Sequence, residues 1–265
     1  MNKGVRKMIL TADNCDEFIS TTESLDGQNP FACRIISLCT SYQPSLPFVD
    51  YWTVFDDESK NPTGAIARNG TDFILFLTDK TDLEEVSSFM RVAGAASVIC
   101  SNSYSLDLFG YEKTSGPILV RREEIPESNS FEICTPQIKD AYNLIAASAD
   151  KGFTPPEFED FYVDINHKLR HGTMRLLGLC SEGKLAAVAM TVAESSQGAV
   201  IGAVACLPEH RKKGYGTYIV NHLTNILVKE GRSVFLHRAE NENKAFYDNL
   251  KFSRFDSWCE YHFKG

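Results

Sequence analysis

The stretch "LPEHRKKGYG", Leu207 to Gly216, joins an apolar run to an apolar-periodic one. Upstream, "GAVIGAVACL" (198–207) is almost wholly apolar, as expected of a strand covered on both faces and central in its sheet. Downstream, "GYGTYIVNHLTNILVKEG" (214–231) sets Ile219, Leu223, Ile226 and Leu227 on one helical stripe, with Gly231 as its stop. The stretch therefore turns a central strand into a helix. Its two glycines let the backbone turn tightly and let a ligand approach with no Cβ in the way. The first turn of the helix offers unpaired N–H groups at the positive end of the dipole, a site that suits a pyrophosphate. Arg211, Lys212 and Lys213 add local charge. A solvated basic turn is the competing reading of so short a motif. The phosphate loops GxxxxGK[ST] and GxGxxG are both absent.

The surrounding pattern is α+β. "FEICTPQI" (131–138) reads as a strand, and "QIKDAYNLIAASA" (137–149) and "PPEFEDFYVDINHKLRHG" (155–172) as helices. Residues 173–194 read as a hairpin turning at Glu182-Gly183. "RSVFLHRA" (232–239), "NKAFYDNLKF" (243–252) and "RFDSWCEYHF" (254–263) follow as strand, helix and strand. The first half repeats this order: a helix over 16–24, three strands between 49 and 79, a helix over 81–94, and strands at 96–101 and 116–122. The polar "RREEIPESNS" (121–130) reads as a linker, so two units are expected, 1–127 and 128–265.

"VACLPEHRKKGYGTYIVNHL" (204–223) resembles the acetyl-CoA signature of the GCN5-related N-acetyltransferases (GNATs), [Q/R]-x-x-G-x-[G/A], with Arg211, Gly214 and Gly216 at its marked positions. "SVFLHRAEN" followed by "NKAFYDNLKF" resembles the family's Asn…Phe-Tyr…Gly-Phe ending. The likeness covers about residues 131–265 and is to the FR47-like branch. It implies mixed, largely antiparallel sheets flanked by helices, an acetyl-CoA or other acyl-CoA co-substrate without metal, and acyl transfer to an amine of a small molecule or amino acid by direct attack. By the same resemblance, the backbone of Val204, Ala205 and Cys206 pairs with the pantetheine arm where the strands splay. Backbone amides of Arg211, Lys212, Lys213, Gly214, Tyr215, Gly216 and Thr217 hold the pyrophosphate, and Asn241, or its rival Asn243, contacts the arm. Tyr247 protonates the departing thiolate. Two departures stand out. "GAVIGAVA" holds no carboxylate where many relatives carry the base, which leaves Glu194, His237 or a water chain as candidates. Lys251-Phe252 replaces the usual Gly-Phe. A non-catalytic acyl-CoA-binding or regulatory protein is the alternative.

In the first half the matching strand–helix junction reads "FLTDKTDLEEV" (76–86). It has no glycine, and Asp79, Asp82, Glu84 and Glu85 repel a phosphate, so this unit is expected to be degenerate and structural. Residues 1–130 carry 11 basic and 19 acidic side chains; the remainder carries 16 of each. With a net charge of −8, the chain lacks the basic face a nucleic-acid binder needs. No apolar window suits a membrane span, and a cytoplasmic protein, open to homodimerisation, is expected. Eight scattered cysteines without a CxxC pair read as reduced core thiols, Cys206 among them. His167 and His171 have metal-ligand spacing but read as a solvated helix face, while "FEDFYVD" (158–164) reads equally as pocket lining or helix packing.

Overall fold

The computed structural model describes residues 8–127, 131–148, 155–240 and 243–265. The chain divides into two compact units, one running to Ile118 and including Phe255–Gly265, the other Leu119–Arg254. The junction thus falls before the expected 127/128, and the last strand returns to the first unit.

The first unit contains β1 (Ile9–Thr11), α1 (Cys15–Asp26), α2 (Pro30–Ser41), β2 (Val49–Phe55), β3 (Pro62–Asn69), β4 (Asp72–Leu77), α3 (Leu83–Val92) and β5 (Ser97–Ser101). Strands β1 to β4 pair antiparallel in sequence order, and α3 crosses over so that β5 lies parallel to β4. The chain leaves this unit within β6 (Tyr111–Arg121). Helix α2 is absent from the sequence reading. Ten of its twelve residues are buried, so no polar face marks it. Its start was nevertheless signalled: Asn29 accepts the Phe31 N–H at 2.9 Å and Pro30 occupies the first turn.

The second unit contains β7 (Glu132–Cys134), α4 (Ile138–Ser148), α5 (Phe158–Arg170), β8 (Leu176–Ser181), β9 (Lys184–Glu194), β10 (Gly198–Cys206), α6 (Tyr215–Lys229), β11 (Ser233–His237) and α7 (Lys244–Asn249). It leads into β12 (Ser253–Phe263), whose end pairs antiparallel with β5 inside the first unit. Strands β7 to β10 are antiparallel neighbours, and α6 is the crossover that sets β11 parallel to β10. Three residues of the predicted α6 stripe, Ile219, Leu223 and Leu227, are fully buried, and Ile226 is half-buried. Each of the three contributes roughly 1.5–3 kcal/mol. Side-chain alternation along β10 serves two layers. Val204 and Cys206 pack with the α6 core, while Ala203, Ala205 and Leu207 pack with the α4–α5 core.

Two sulfurs depart from the expectation of eight reduced thiols. Cys134 and Cys180 form a disulfide between β7 and β8. The antiparallel register sets Cys134 opposite Gly178, whose missing side chain leaves room for the sulfur. The other six cysteines are free, and Cys15–Cys39 and Cys100–Cys259 lie in Sγ contact at 3.2 and 3.6 Å. No helix among the described residues is long and apolar enough to cross a membrane.

A buried arginine anchors α6. Arg121, 3% exposed, donates to Asn221 Oδ1 at 2.8 Å, Asn225 Oδ1 at 2.7 Å and the Leu250 carbonyl at 3.2 Å, and it lies over the Phe252 ring. Burial without a carboxylate partner pulls its pKa down to about 10. Arg121→Ala strands these buried acceptors, so we expect unfolding in urea to show a loss of about 3 kcal/mol. A loss below about 1 kcal/mol would show that water replaces the guanidinium at no cost.

Candidate functional site

The site begins with a defect in β10. Its parallel pairing with β11 runs from Gly198↔Ser233 to Ile201↔Leu236. On the other side, pairing with β9 shifts between Gly202 and Ala205, with Met190 and Val188 as their partners. Two residues of β10 therefore face one of β9, a bulge with Ala203 at φ 45°. From Val204 to Cys206 the strand turns away from its parallel neighbour, and a cleft opens there.

The following turn supplies the floor. A short 3-10 turn, Pro208–His210, takes the Arg211 N–H onto the Pro208 carbonyl at 3.2 Å, so this amide is spent inside the turn. Lys212 (φ 60°) and Gly214 (φ 88°) are left-handed, which aims successive N–H groups toward one side. Gly214 is the N-cap of α6 and carries no side-chain cap; the first helical bond is Tyr218 N–H to the Gly214 carbonyl at 2.9 Å. The amides of Tyr215, Gly216 and Thr217 precede that bond. Gly214 is required by its φ. At Gly216 an added Cβ would meet only the Phe246 ring, at 3.6 Å, so alanine fits there. In the first unit the corresponding α3 is closed: Asp82 Oδ1 accepts the N–H groups of Glu84 and Glu85 at 2.9 and 3.0 Å.

Helix α7 forms the opposite wall. The cleft, about 370 Å³, is lined by Val204, Cys206, His210, Arg211, Lys212, Gly214, Gly216, Thr217, Asn243, Phe246 and Tyr247. The Tyr247 hydroxyl is pushed above its usual range, first by burial, with Arg238 opposing. The Cys206 thiol is likewise raised by burial, against the pull of Arg211.

The FR47-like protein family matches residues 176–260. The whole chain shares its fold with a tandem GNAT protein of the clavulanic acid biosynthesis pathway: 15% identity, TM-score 0.58, covering 96% of this chain and 97% of that one. A Colwellia psychrerythraea GNAT-family acetyltransferase is also similar, at 14% identity, TM-score 0.55, and 97% and 99% coverage. So is a GCN5-related N-acetyltransferase from Sphaerobacter thermophilus, at 11% identity, TM-score 0.57, and 97% and 95% coverage. Residues 176–260 thus resemble the FR47-like family, and the chain has the fold of tandem GNAT proteins. Comparison with curated protein sequences gives no significant match.

Within the second unit, the structure brings together Val204, Cys206, Arg211, Lys212, Gly214, Gly216, Thr217 and Tyr247. Ala205 points to the α4–α5 layer, and Lys213 is exposed outside the lining. The Tyr215 side chain leaves the cleft to donate to Ser181 Oγ at 3.0 Å. Asn241 lies outside the described residues, whereas its rival Asn243 lines the wall. His237 closes β11 just past the last β10 pair and is not part of the lining. Glu194 is elsewhere: it is 4% exposed, opposite Ala199, bonded by Thr191 Oγ1 at 2.8 Å and paired with Arg175 and Arg232. Ala199 is five residues from Val204, roughly 17 Å along the strand. A carboxylate fixed there between two guanidiniums cannot reach the cleft. Cys206 packs on the α6 core, as expected, and also lines the cleft. His167 and His171 stack on each other at 4.1 Å, and no metal-binding group of three or more His, Cys, Asp or Glu occurs among the described residues. In "FEDFYVD" Phe158 and Phe161 pack on Tyr142 while Tyr162 is exposed, and none of its residues is in the cleft lining. Sequence reasoning missed His210 and Phe246; the first sits in the basic run, where charge drew the attention.

Lys251, standing where glycine is usual, keeps the left-handed turn at φ 58°, and the Phe252 N–H returns to the Tyr247 carbonyl at 3.1 Å. The turn behind Tyr247 is therefore built with strain. Lys251→Gly removes the Cβ clash, and thermal unfolding should show a gain of about 1 kcal/mol. An unchanged or lower midpoint would contradict the strain.

Proposed function

We propose that the protein is an acyl-CoA-dependent N-acyltransferase, with acetyl-CoA as donor and the amine of a small molecule or amino acid as acceptor. The observation that carries this reading is one cleft shared by the end of β10, open on its β11 side, the uncapped N-terminus of α6 and the Tyr247 side chain. The residues fit the proposed donor. The open backbone of β10 from Val204 to Cys206 suits an amide-bearing arm, as an added strand would. The amides from Lys212 to Thr217 suit a pyrophosphate, with the helix dipole adding up to about 2 kcal/mol.

Acyl-CoA supplies the activated thioester carbonyl. As the amine nitrogen bonds to that carbon, the carbon–sulfur bond breaks and the sulfur takes the electron pair. Tyr247, held protonated by burial, gives its proton to that sulfur and recovers one from water. The cleft lining includes no carboxylate among the described residues, and the acidic candidate Glu194 is engaged in its arginine pairs. The acceptor therefore enters as the free amine, and the proton that its nitrogen sheds after attack goes to water.

The test is release of free CoA from acetyl-CoA across a panel of amines. Tyr247→Phe should lower kcat by about 10²-fold or more while leaving CoA affinity within about threefold; equal turnover removes the acid role. The rate should rise with pH through the acceptor's own amine and hold its plateau past pH 10, because the Tyr247 pKa is raised and its acid form persists there. An inflection in the carboxylate range would instead reveal an enzyme base. Gly214→Asp places a carboxylate at a left-handed position in the floor, and calorimetry should show CoA affinity falling by about 100-fold or more. Tight CoA binding with no turnover on any amine would favour a non-catalytic acyl-CoA-binding protein.

A further inference from the structure

The Arg211 side chain does not behave as a phosphate ligand. Its Nε donates to the carbonyl of Cys206, the last residue of β10, at 3.2 Å. Its Nη2 donates to the carbonyl of Ser148, 63 residues away and the last residue of α4, at 2.9 Å. These two donors form the edge of the guanidinium that would otherwise grip a phosphate in bidentate fashion. Ser148 is the last described residue of α4, and its carbonyl accepts a charge-assisted bond from the guanidinium. Helix α4 in turn packs, through the core that includes Leu144, Ile145 and Met174, on the face of β10 that carries Ala203, Ala205 and Leu207. One side chain thus fastens the end of α4 to the strand end from which the cleft opens.

We infer that Arg211 is a positioning residue. It clamps the C-terminal end of α4 against β10 and so holds the α4–α5 layer that borders the acceptor side of the cleft. Only the phrase "acceptor side" rests on the acyltransferase reading; the clamp stands on the two hydrogen bonds. A phosphate-binding cation and a clamp make opposite demands on the side chain. The first needs charge, which lysine retains. The second needs two directed donors in a fork, which neither lysine nor glutamine reproduces.

Arg211→Lys and Arg211→Gln separate these roles, with two readouts on the intact protein. Hydrogen exchange of the α4 amides over 141–148 in the free protein should speed up by about tenfold or more in both variants, lysine rescuing little, as follows from losing charge-assisted bonds at the helix end. The dissociation constant for CoA should move less than about threefold in both, because the amides from Lys212 to Thr217 bind the phosphates. Unchanged α4 exchange in both variants overturns the clamp. CoA affinity kept by lysine and lost tenfold by glutamine also overturns it, and makes Arg211 a phosphate cation. Should the wild-type protein bind no CoA, the acyltransferase reading fails, and exchange in the free protein alone decides the clamp. With an acceptor in hand, the KM for the amine should rise in both variants while the KM for acyl-CoA holds.

Discussion

Everything at the site depends on β10 losing its parallel neighbour before it ends. A strand in the middle of a sheet normally spends every N–H and C=O on its two partners. Here parallel pairing stops at Ile201 and antiparallel pairing is displaced by the bulge at Ala203. The strand therefore reaches Val204–Cys206 with backbone groups to offer, yet it remains held from both faces by the α6 and α4–α5 cores. An edge strand would offer the same groups without that rigidity, and would invite pairing with other chains. Opening the sheet from within gives an ordered strand whose free backbone groups face a cleft.

The helix after the strand meets the same requirement by a different route. Helices α3 and α6 occupy equivalent positions, each crossing over between parallel strands. At α3 the Asp82 carboxylate consumes two of the terminal amides and cancels the dipole's positive end. At α6 the cap is Gly214, which has no side chain to do either. One residue type at the N-cap thus decides whether the helix start is stabilised internally or left for an anion. The uneven charge of the chain follows this division, since the net −8 lies wholly in residues 1–130.

Where the sequence was legible, a residue's chemistry was tied to its conformation. Gly214 could be read because glycine is the ordinary occupant of a left-handed cap, and the α6 stripe because period 3.6 leaves few alternatives. Asp82 could be read as a blocked cradle for the same reason. The bulge at Ala203 could not, because alanine carries no preference for φ 45°. Lys212 and Lys251 drew notice for charge, or for the glycine they replace, while their left-handed backbones went unseen. Glu194 was misjudged for a topological reason. It is close to β10 in sequence, but the hairpin sets it beside Ala199, at the start of that strand, while the cleft opens at the strand's other end. Nor could α2 be read, since burial on all sides erases the periodicity that reveals a helix.

Strain is gathered around the cleft. Of the six non-glycine residues at positive φ among the described residues, four border it or its supports: Ala203, Lys212, Asn243 and Lys251. Each costs about 1–2 kcal/mol relative to an ordinary backbone. Such a cost persists only where the surroundings over-determine the geometry. Here the surroundings are identifiable: the buried stripe of α6, and Arg121, which joins Asn221 and Asn225 of that helix to the Leu250 carbonyl beside the strained Lys251 turn. The guanidinium links the floor of the cleft, through α6, to the wall that carries Tyr247. A neutral apolar residue at position 121 could fill the same space, but it could not direct three separated carbonyl oxygens toward one point. Burying a charge without a carboxylate is consistent with that role, since a planar donor surrounded by amide oxygens fixes the relative position of the elements that supply them.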